Sequence, residues 1–124
     1  MLELTINEQV YQFNFGMGFM REVNKKYSTP VDGLKNVEKN IGLQYMVASV
    51  IDNDVEALVD MLDIANKNQQ PRVTKALLDS YIDNEDTDID ALFSEVLDFL
   101  RSANATKKTV EMLQKAMEDQ KAKQ

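Results

Sequence analysis

Apolar and polar residues alternate over residues 2–6 and again over 9–15, a pattern typical of strands with one buried face. Asn7-Glu8 separates the two runs and predicts a two-residue hairpin loop, although Glu8 stands where glycine favours such a loop. This loop pairs Ile6 with Gln9 and gathers the apolar side chains on one face. Those side chains are Leu2, Leu4, Ile6, Tyr11 and Phe13. Because a lone hairpin is marginal in water, we expect helices to cover that face.

After Gly16 the apolar residues recur every three or four positions, which predicts a series of helices. Residues Val31–Lys39 predict a loop with one helical turn, and Asn66–Pro71 predicts a second loop. Residues typical of helix N-caps precede several of the stripes. They are Asn53-Asp54, Thr87 or Asp88, and the segment Asn104–Thr106. The apolar stripes themselves are Phe19, Met20, Val23 and Tyr27; Leu43, Met46, Val47, Val50 and Ile51; Val55, Leu58, Val59 and Leu62; Val73, Ala76, Leu77 and Tyr81; and Ile89, Leu92, Phe93, Val96, Leu97 and Leu100.

The pattern predicts an α+β, mostly helical fold, with an N-terminal β-hairpin followed by five or six α-helices packed as one domain. A chain of 124 residues is long enough to bury a single core. We expect the helix around Met46 to be the most buried, because Ile41, Tyr45 and Ala48 make its opposite side apolar as well. Residues 1–104 are predicted to form the core domain, and 105–124 a C-terminal helix that is partly frayed.

Several kinds of chemistry are excluded or disfavoured by composition. The chain has no cysteine and no histidine, which excludes disulfides, thiol nucleophiles and imidazole catalysis. Gly16-Met-Gly18 follows a strand as dinucleotide-binding motifs do, but Arg21 occupies the third glycine position. Asn84–Glu95 resembles a calcium loop in part, but Ile89 replaces the glycine that the loop requires. We therefore expect no enzyme activity, no cofactor and no bound metal.

Charge is distributed unevenly along the chain. The formal net charge is −7, and it divides into 0 over residues 1–51, −10 over 52–99 and +3 over 100–124. An acidic middle opposes binding to nucleic acid. The opposite signs permit head-to-tail association of copies, although ordinary solvated helix faces would give the same totals. No apolar run approaches the roughly 20 residues of a membrane span, and no signal segment precedes the hairpin, so we expect no membrane partner and a cytoplasmic location.

Two groups of residues are candidates for partner binding. The C-terminal stripe is narrow, so this helix either packs lightly on its own domain or presents its apolar edge to another chain or a longer product. Its residues are Val110, Leu113 and Met117, with Met112 beside them. The acidic residues Asp83, Glu85 and Asp86 interrupt the helical pattern and form a candidate docking patch, although acids at a turn are usually capping residues.

The order of several packing and turn motifs resembles a known family. These motifs are Phe13-Asn-Phe-Gly-Met-Gly-Phe-Met20, Gly42-Leu-Gln-Tyr45, Pro71-Arg-Val-Thr-Lys-Ala-Leu77, and Asp83 through Phe93 leading into Phe99-Leu-Arg-Ser-Ala-Asn-Ala-Thr106. Together they cover almost the whole chain. The chain is similar to the tail assembly chaperones of long-tailed bacteriophages and prophages of Gram-positive bacteria.

The resemblance implies a non-enzymatic protein that binds and solubilises the tape measure protein and helps to recruit tail tube subunits in the host bacterial cytoplasm. It also implies a longer frameshifted form of the chain as a partner, a junction within 105–124, and absence from the mature virion. A homo-oligomer is compatible with these roles. Two alternatives stay open at this point. One is a structural tail-completion or connector protein of the virion, and the other is an acidic host-defence inhibitor that mimics DNA through residues 79–90.

Overall fold

The computed structural model describes residues 1–26, 28–30 and 38–122. It confirms the predicted fold class, since an N-terminal hairpin is followed by six helices. In chain order the elements are β1 (Leu2–Ile6), β2 (Gln9–Phe13), α1 (Met17–Lys26), β3 (Ser28–Pro30), β4 (Glu38–Asn40), α2 (Gly42–Ile51), α3 (Val55–Asn66), α4 (Lys75–Asp83), α5 (Ile89–Ser102) and α6 (Lys107–Ala122).

The hairpin has the predicted register. β1 and β2 are antiparallel, with Ile6 opposite Gln9 and Leu2 opposite Phe13. All five side chains of the predicted apolar face are buried. Asn7 and Glu8 both have positive φ, 52° and 67°, which is the conformation of the two-residue loops that suit the right-handed twist of a hairpin. Asparagine tolerates this conformation better than glutamate does. Asn7 therefore suits the loop, and Glu8 is the less favourable of its two residues.

A second pair of strands was not predicted. Ser28–Pro30 pairs antiparallel with Glu38–Asn40, so part of the predicted loop Val31–Lys39 is a strand. Three residues are too few to show an alternating pattern, so these strands could not be predicted from it. Tyr27 and residues 31–37, where the helical turn was predicted, lie outside the described residues.

The predicted helical stripes form most of the core, but one prediction about them was wrong. α2 buries Leu43, Met46, Val47 and Val50 on one face, whereas Tyr45 is 56% exposed. α3 buries more of its residues than α2 does, and its buried set extends to the last residue, Asn66. The prediction from apolar residues on all sides of α2 therefore overestimated the burial of this helix. A tyrosine side chain can keep one side at the surface.

Side chains close the helix ends largely as predicted. Asp54 accepts a hydrogen bond from the Ala57 amide at 3.1 Å, and Asp88 accepts one from the Ala91 amide at 3.0 Å. Asp88, rather than Thr87, is therefore the cap of α5. The fully buried Thr106 lies just before α6, where a cap was predicted, but its hydroxyl donates to the Leu100 carbonyl at 2.6 Å and so ties the connection back to α5.

Asn66 joins the hairpin, α3 and the following loop, although the sequence analysis assigned it only to a loop. The residue is fully buried. Its amide nitrogen donates to the carbonyls of Gln12 at 2.9 Å and Pro71 at 3.2 Å. Its side-chain oxygen accepts from the Val73 amide at 2.6 Å and from Arg72 Nη1 at 3.1 Å. One side chain therefore connects segments that are far apart in the sequence.

The first turn of α2 lies directly against the backbone of α1. A Cβ atom placed on Gly42 would lie 2.1 Å from the Val23 carbonyl oxygen. Beside this contact, Asn24 Oδ1 accepts a hydrogen bond from the Leu43 amide at 3.0 Å. The two helices can approach this closely only because residue 42 has no side chain.

α6 packs on α2 and α5 and belongs to the same core as the hairpin. The predicted boundary at residue 104 falls in the connection between α5 and α6. Val110 is fully buried in the core cluster that also contains Leu2. No helix in the described part of the chain has the length and apolar composition needed to cross a membrane.

Candidate functional site

The predicted C-terminal stripe divides between two sides of α6. Val110 is fully buried, Leu113 is half-buried against the core, and Met117 is half-buried. Met112 is 49% exposed, because two residues correspond to about 200° around a helix and so place it almost opposite Val110. The outward side of α6 also carries Lys108 and Lys115, four residues before Met112 and three after it. Of the four predicted stripe residues, Met112 is therefore the one most exposed to solvent.

The three residues of the predicted acidic patch lie at the end of α4 and in the turn that follows it. Asp83 ends α4 and lines a groove against α3, whereas Asp86 lines a different depression near the hairpin loop. Glu85 is exposed in the turn between them. Asn84 Oδ1 accepts from the Asp86 amide at 2.9 Å, so local hydrogen bonds fix this turn.

Behind the turn, the Thr87 hydroxyl donates to the Tyr81 carbonyl at 2.7 Å. Burial raises the pKa of the Tyr81 phenol, and the nearby Glu95 carboxylate raises it further. The phenol therefore stays protonated over the physiological range and adds no charge to the acidic face of the molecule.

The α3–α4 groove is an open depression with a volume of about 460 Å³, lined by both apolar and charged residues. Its apolar lining is Val55, Val59 and Ile82, and Val55 is 40% exposed. Its charged lining is Glu56, Asp60, Lys75, Asp79 and Asp83. Of these residues only Asp83 was predicted to bind a partner, because the groove exists only once two helices lie side by side.

The single cation of this lining is held by the acids around it. Lys75 Nζ lies 2.8 Å from Asp60 Oδ1. The hydrogen bond and charge of Asp60, with smaller contributions from Asp63 and Asp79, raise the pKa of the Lys75 ammonium. The acids around Lys75 therefore favour its charged form.

A second depression lies where the hairpin meets the end of α5. Its volume is about 260 Å³, and its lining is mostly apolar: Met1, Phe13, Asn14, Phe15, Gly16, Phe99, Ser102 and Ala103. Met1 is 64% exposed, whereas Phe13 and Phe15 form the buried floor. We call this surface the hairpin-end depression. The sequence analysis missed it because its residues come from both halves of the chain and Phe99 lies beside, not within, the predicted α5 stripe.

None of these features resembles a built metal or cofactor site. Among the residues that the structure describes, no group of three or more acidic side chains is arranged to hold a metal ion. The chemistry available at the surface is apolar contact and charge pairing. These features define a small, mostly helical domain with shallow depressions on its surface.

Comparison with known proteins assigns the family. Residues 3–115 match the family described as phage tail assembly chaperone protein, TAC. Because the match spans nearly the whole chain, the protein belongs to this family, as the order of its motifs had indicated. No curated protein and no solved structure matches the chain. Family membership assigns a role in phage tail assembly, which involves interaction with tail proteins, and supports a non-enzymatic function.

Proposed function

We propose that this chain binds and solubilises the tape measure protein in the host bacterial cytoplasm and helps to recruit tail tube subunits to it. The observation that carries the proposal is the family match over residues 3–115. A tail tube protein and a longer frameshifted form of the chain are its further proposed partners. The protein acts by binding alone and leaves before the virion is complete.

The hairpin-end depression is the surface that suits an apolar helical stripe. Phe99 lies in the last turn of α5, Ala103 directly follows the end of that helix, and Met1 flanks them. Methionine side chains adapt to irregular apolar partners, which favours binding of many related sequences. A depression of about 260 Å³ encloses few side chains, so each contact is weak. A long partner would be covered by many copies, and each copy could be displaced readily by an arriving tube subunit.

We expect Ser102→Lys to reduce capture of the tape measure protein about tenfold, because a lysine in the depression would have to be desolvated when an apolar stripe binds there. Ser102 is exposed, and a cation near the C-terminus of α5 is favoured by the helix dipole, so the fold should tolerate it. The measurement is the soluble fraction of the tape measure protein after co-expression. Ser94→Lys is the matched control, since Ser94 is exposed on the same helix but outside the lining.

Two results would contradict these statements separately. If the unmodified chain leaves the co-expressed tape measure protein as insoluble as an empty vector does, the proposed function is wrong. If the unmodified chain solubilises it and both lysine variants do so equally well, the function stands and the hairpin-end depression is not the contact.

We also expect the chain to be absent from purified virions and abundant in the lysate from which they are prepared. A chaperone that is displaced during tube polymerisation should not be packaged. Quantitative mass spectrometry of both fractions checks this, with a tail tube protein as the internal reference. Recovery of the chain in a fixed ratio to the tube protein would support the alternative of a tail-completion or connector component.

A further inference from the structure

We propose that the α3–α4 groove binds the outward edge of α6 from a second copy of this chain, so that copies associate head to tail. The proposal concerns contacts between copies and does not depend on the tape measure protein. It joins two of the predicted partner-binding residues, Asp83 in the groove and Met112 on α6, which lie on different elements of one molecule.

The groove calls for a partner that is apolar and positively charged. Val55 leaves an apolar surface open at its floor, with Val59 and Ile82 beside it. Four carboxylates and one ammonium line the walls, and Asp60 already holds that ammonium. Glu56, Asp79 and Asp83 are the further acids that an incoming cation would meet. A neutral apolar helix would desolvate these carboxylates without compensation, whereas a basic one would pair with them.

The outward edge of α6 has the complementary composition. Met112 is the exposed apolar residue, and Lys108 and Lys115 flank it on the same side. The Lys108 side chain is 86% exposed, and its nearest acid, Glu111, is 3.9 Å away, so it can exchange that contact for another. The two lysines are seven residues apart, which corresponds to about 10 Å along a helix.

The spacing of the groove acids fits this edge. Asp79 and Asp83 are four residues apart on α4, about 6 Å along the axis, and Glu56 lies on the facing helix. The two lysines are thus about 10 Å apart and the two acids about 6 Å apart, and flexible lysine side chains can span the difference of about 4 Å. Met112 would then sit over Val55 while each lysine reaches one end of the row of acids.

Such a contact joins two different surfaces, and copies related by the same repeated rotation form a ring if that rotation closes and an open row if it does not. In the head-to-tail arrangement a linked pair keeps one groove and one α6 edge available, so further copies can add to it and extend a row. This distinguishes it from an ordinary two-fold dimer, in which the same surface is used twice.

The test is sedimentation equilibrium of the full chain, with two charge-reversed variants. Lys108→Glu with Lys115→Glu alters the α6 edge, and Asp79→Lys with Asp83→Lys alters the groove. We expect each variant alone to associate at least about tenfold more weakly than the unmodified chain. An equimolar mixture of the two should regain association, because each variant then supplies a surface that complements the other. Raising salt from about 0.01 M to about 1 M should weaken association of the unmodified chain, since the Debye length falls from about 30 Å to about 3 Å.

Matched controls change the same net charge elsewhere. Arg21→Glu with Lys26→Glu corresponds to the α6 variant, and Glu3→Lys with Glu8→Lys corresponds to the groove variant; all four residues are exposed and lie outside the groove and α6. The controls should associate like the unmodified chain. The proposal is overturned if the unmodified chain stays monomeric at all concentrations, if its association ignores salt, or if the mixture of variants fails to regain it.

Discussion

Replacement of Asn66 by alanine is expected to lower the free energy of unfolding by about 3–5 kcal/mol, among the largest effects of a single substitution in this protein. The Val73 amide and the carbonyls of Gln12 and Pro71 would each lose a hydrogen-bond partner. A buried polar group left without a partner costs about 1–3 kcal/mol. Asn66 is fully buried, so water could replace these contacts only by entering the core.

The substitution should affect the hairpin as well as α3. Asn66 holds the Gln12 carbonyl, and next to it the Asn14 amide donates to the Ala65 carbonyl at 2.9 Å. These two bonds fix the end of β2 to the end of α3. Arg72 would also lose its contact with Asn66, although its ion pair with Asp63 at 3.0 Å remains available. The expected result is therefore loss of cooperative stability rather than fraying of one loop.

Urea denaturation followed by circular dichroism checks the prediction, with the midpoint and the slope fitted separately. Asn66→Asp should give an intermediate loss, because a carboxylate still accepts from Val73 and Arg72 but cannot donate to the two carbonyls. Asn68→Ala is the matched control, since Asn68 is exposed two residues later and should change little. A midpoint for Asn66→Ala within error of the unmodified chain would show that this network does not hold the fold together.

Gly42→Ala is expected to lower the free energy of unfolding by about 3 kcal/mol. The added methyl group would lie 2.1 Å from the Val23 carbonyl oxygen and 2.8 Å from Asn24 Cα. Both are backbone atoms, so they can move only if α1 moves away from α2. Alanine favours helices over glycine by up to about 1 kcal/mol, which offsets only part of the cost. The bond between Asn24 Oδ1 and the Leu43 amide would lengthen or break as the helices separate.

Gly18→Ala provides the matched control on α1. A Cβ there would meet only Asn68 Nδ2, at 4.0 Å, so the alanine should be neutral or stabilising by up to about 1 kcal/mol. Thermal or urea denaturation of both variants compares them directly. Equal stabilities for the two would mean that α1 and α2 can separate at little cost, contrary to the close packing described above.

Local patterns accounted for much of the fold. The hairpin register followed from period-two alternation and loop length, because a shift by one residue would expose every apolar side chain of Leu2–Ile6. The α5 stripe and its cap at Asp88 followed from helical spacing and from the preference of the first turn for acids. These features depend on neighbours within a few residues, which a sequence displays directly.

The features that were missed depend on residues that are distant in the sequence. The Asn66 side chain bonds to Gln12, which is 54 positions away, and nothing in a run of residues indicates that an asparagine at a helix end will be enclosed. The residues around Gly42 did not indicate its importance either, because that importance arises from the close approach of the α1 backbone. The groove acids Glu56 and Asp79 belong to different helices and become neighbours only through packing. Each of these three features depends on tertiary contacts, and a local sequence pattern contains no information about such contacts.

Leu2 and Val110 lie in one core, so residues near the two ends of the described chain are needed to complete it. During synthesis the ribosome releases the hairpin first, and its apolar face stays open until α3 and α4, which pack against it, have followed. Contacts between residues that are far apart in the sequence form late. This slows folding and leaves the nascent chain exposed to aggregation. A protein of a family that assists assembly is thus itself vulnerable while it is being made.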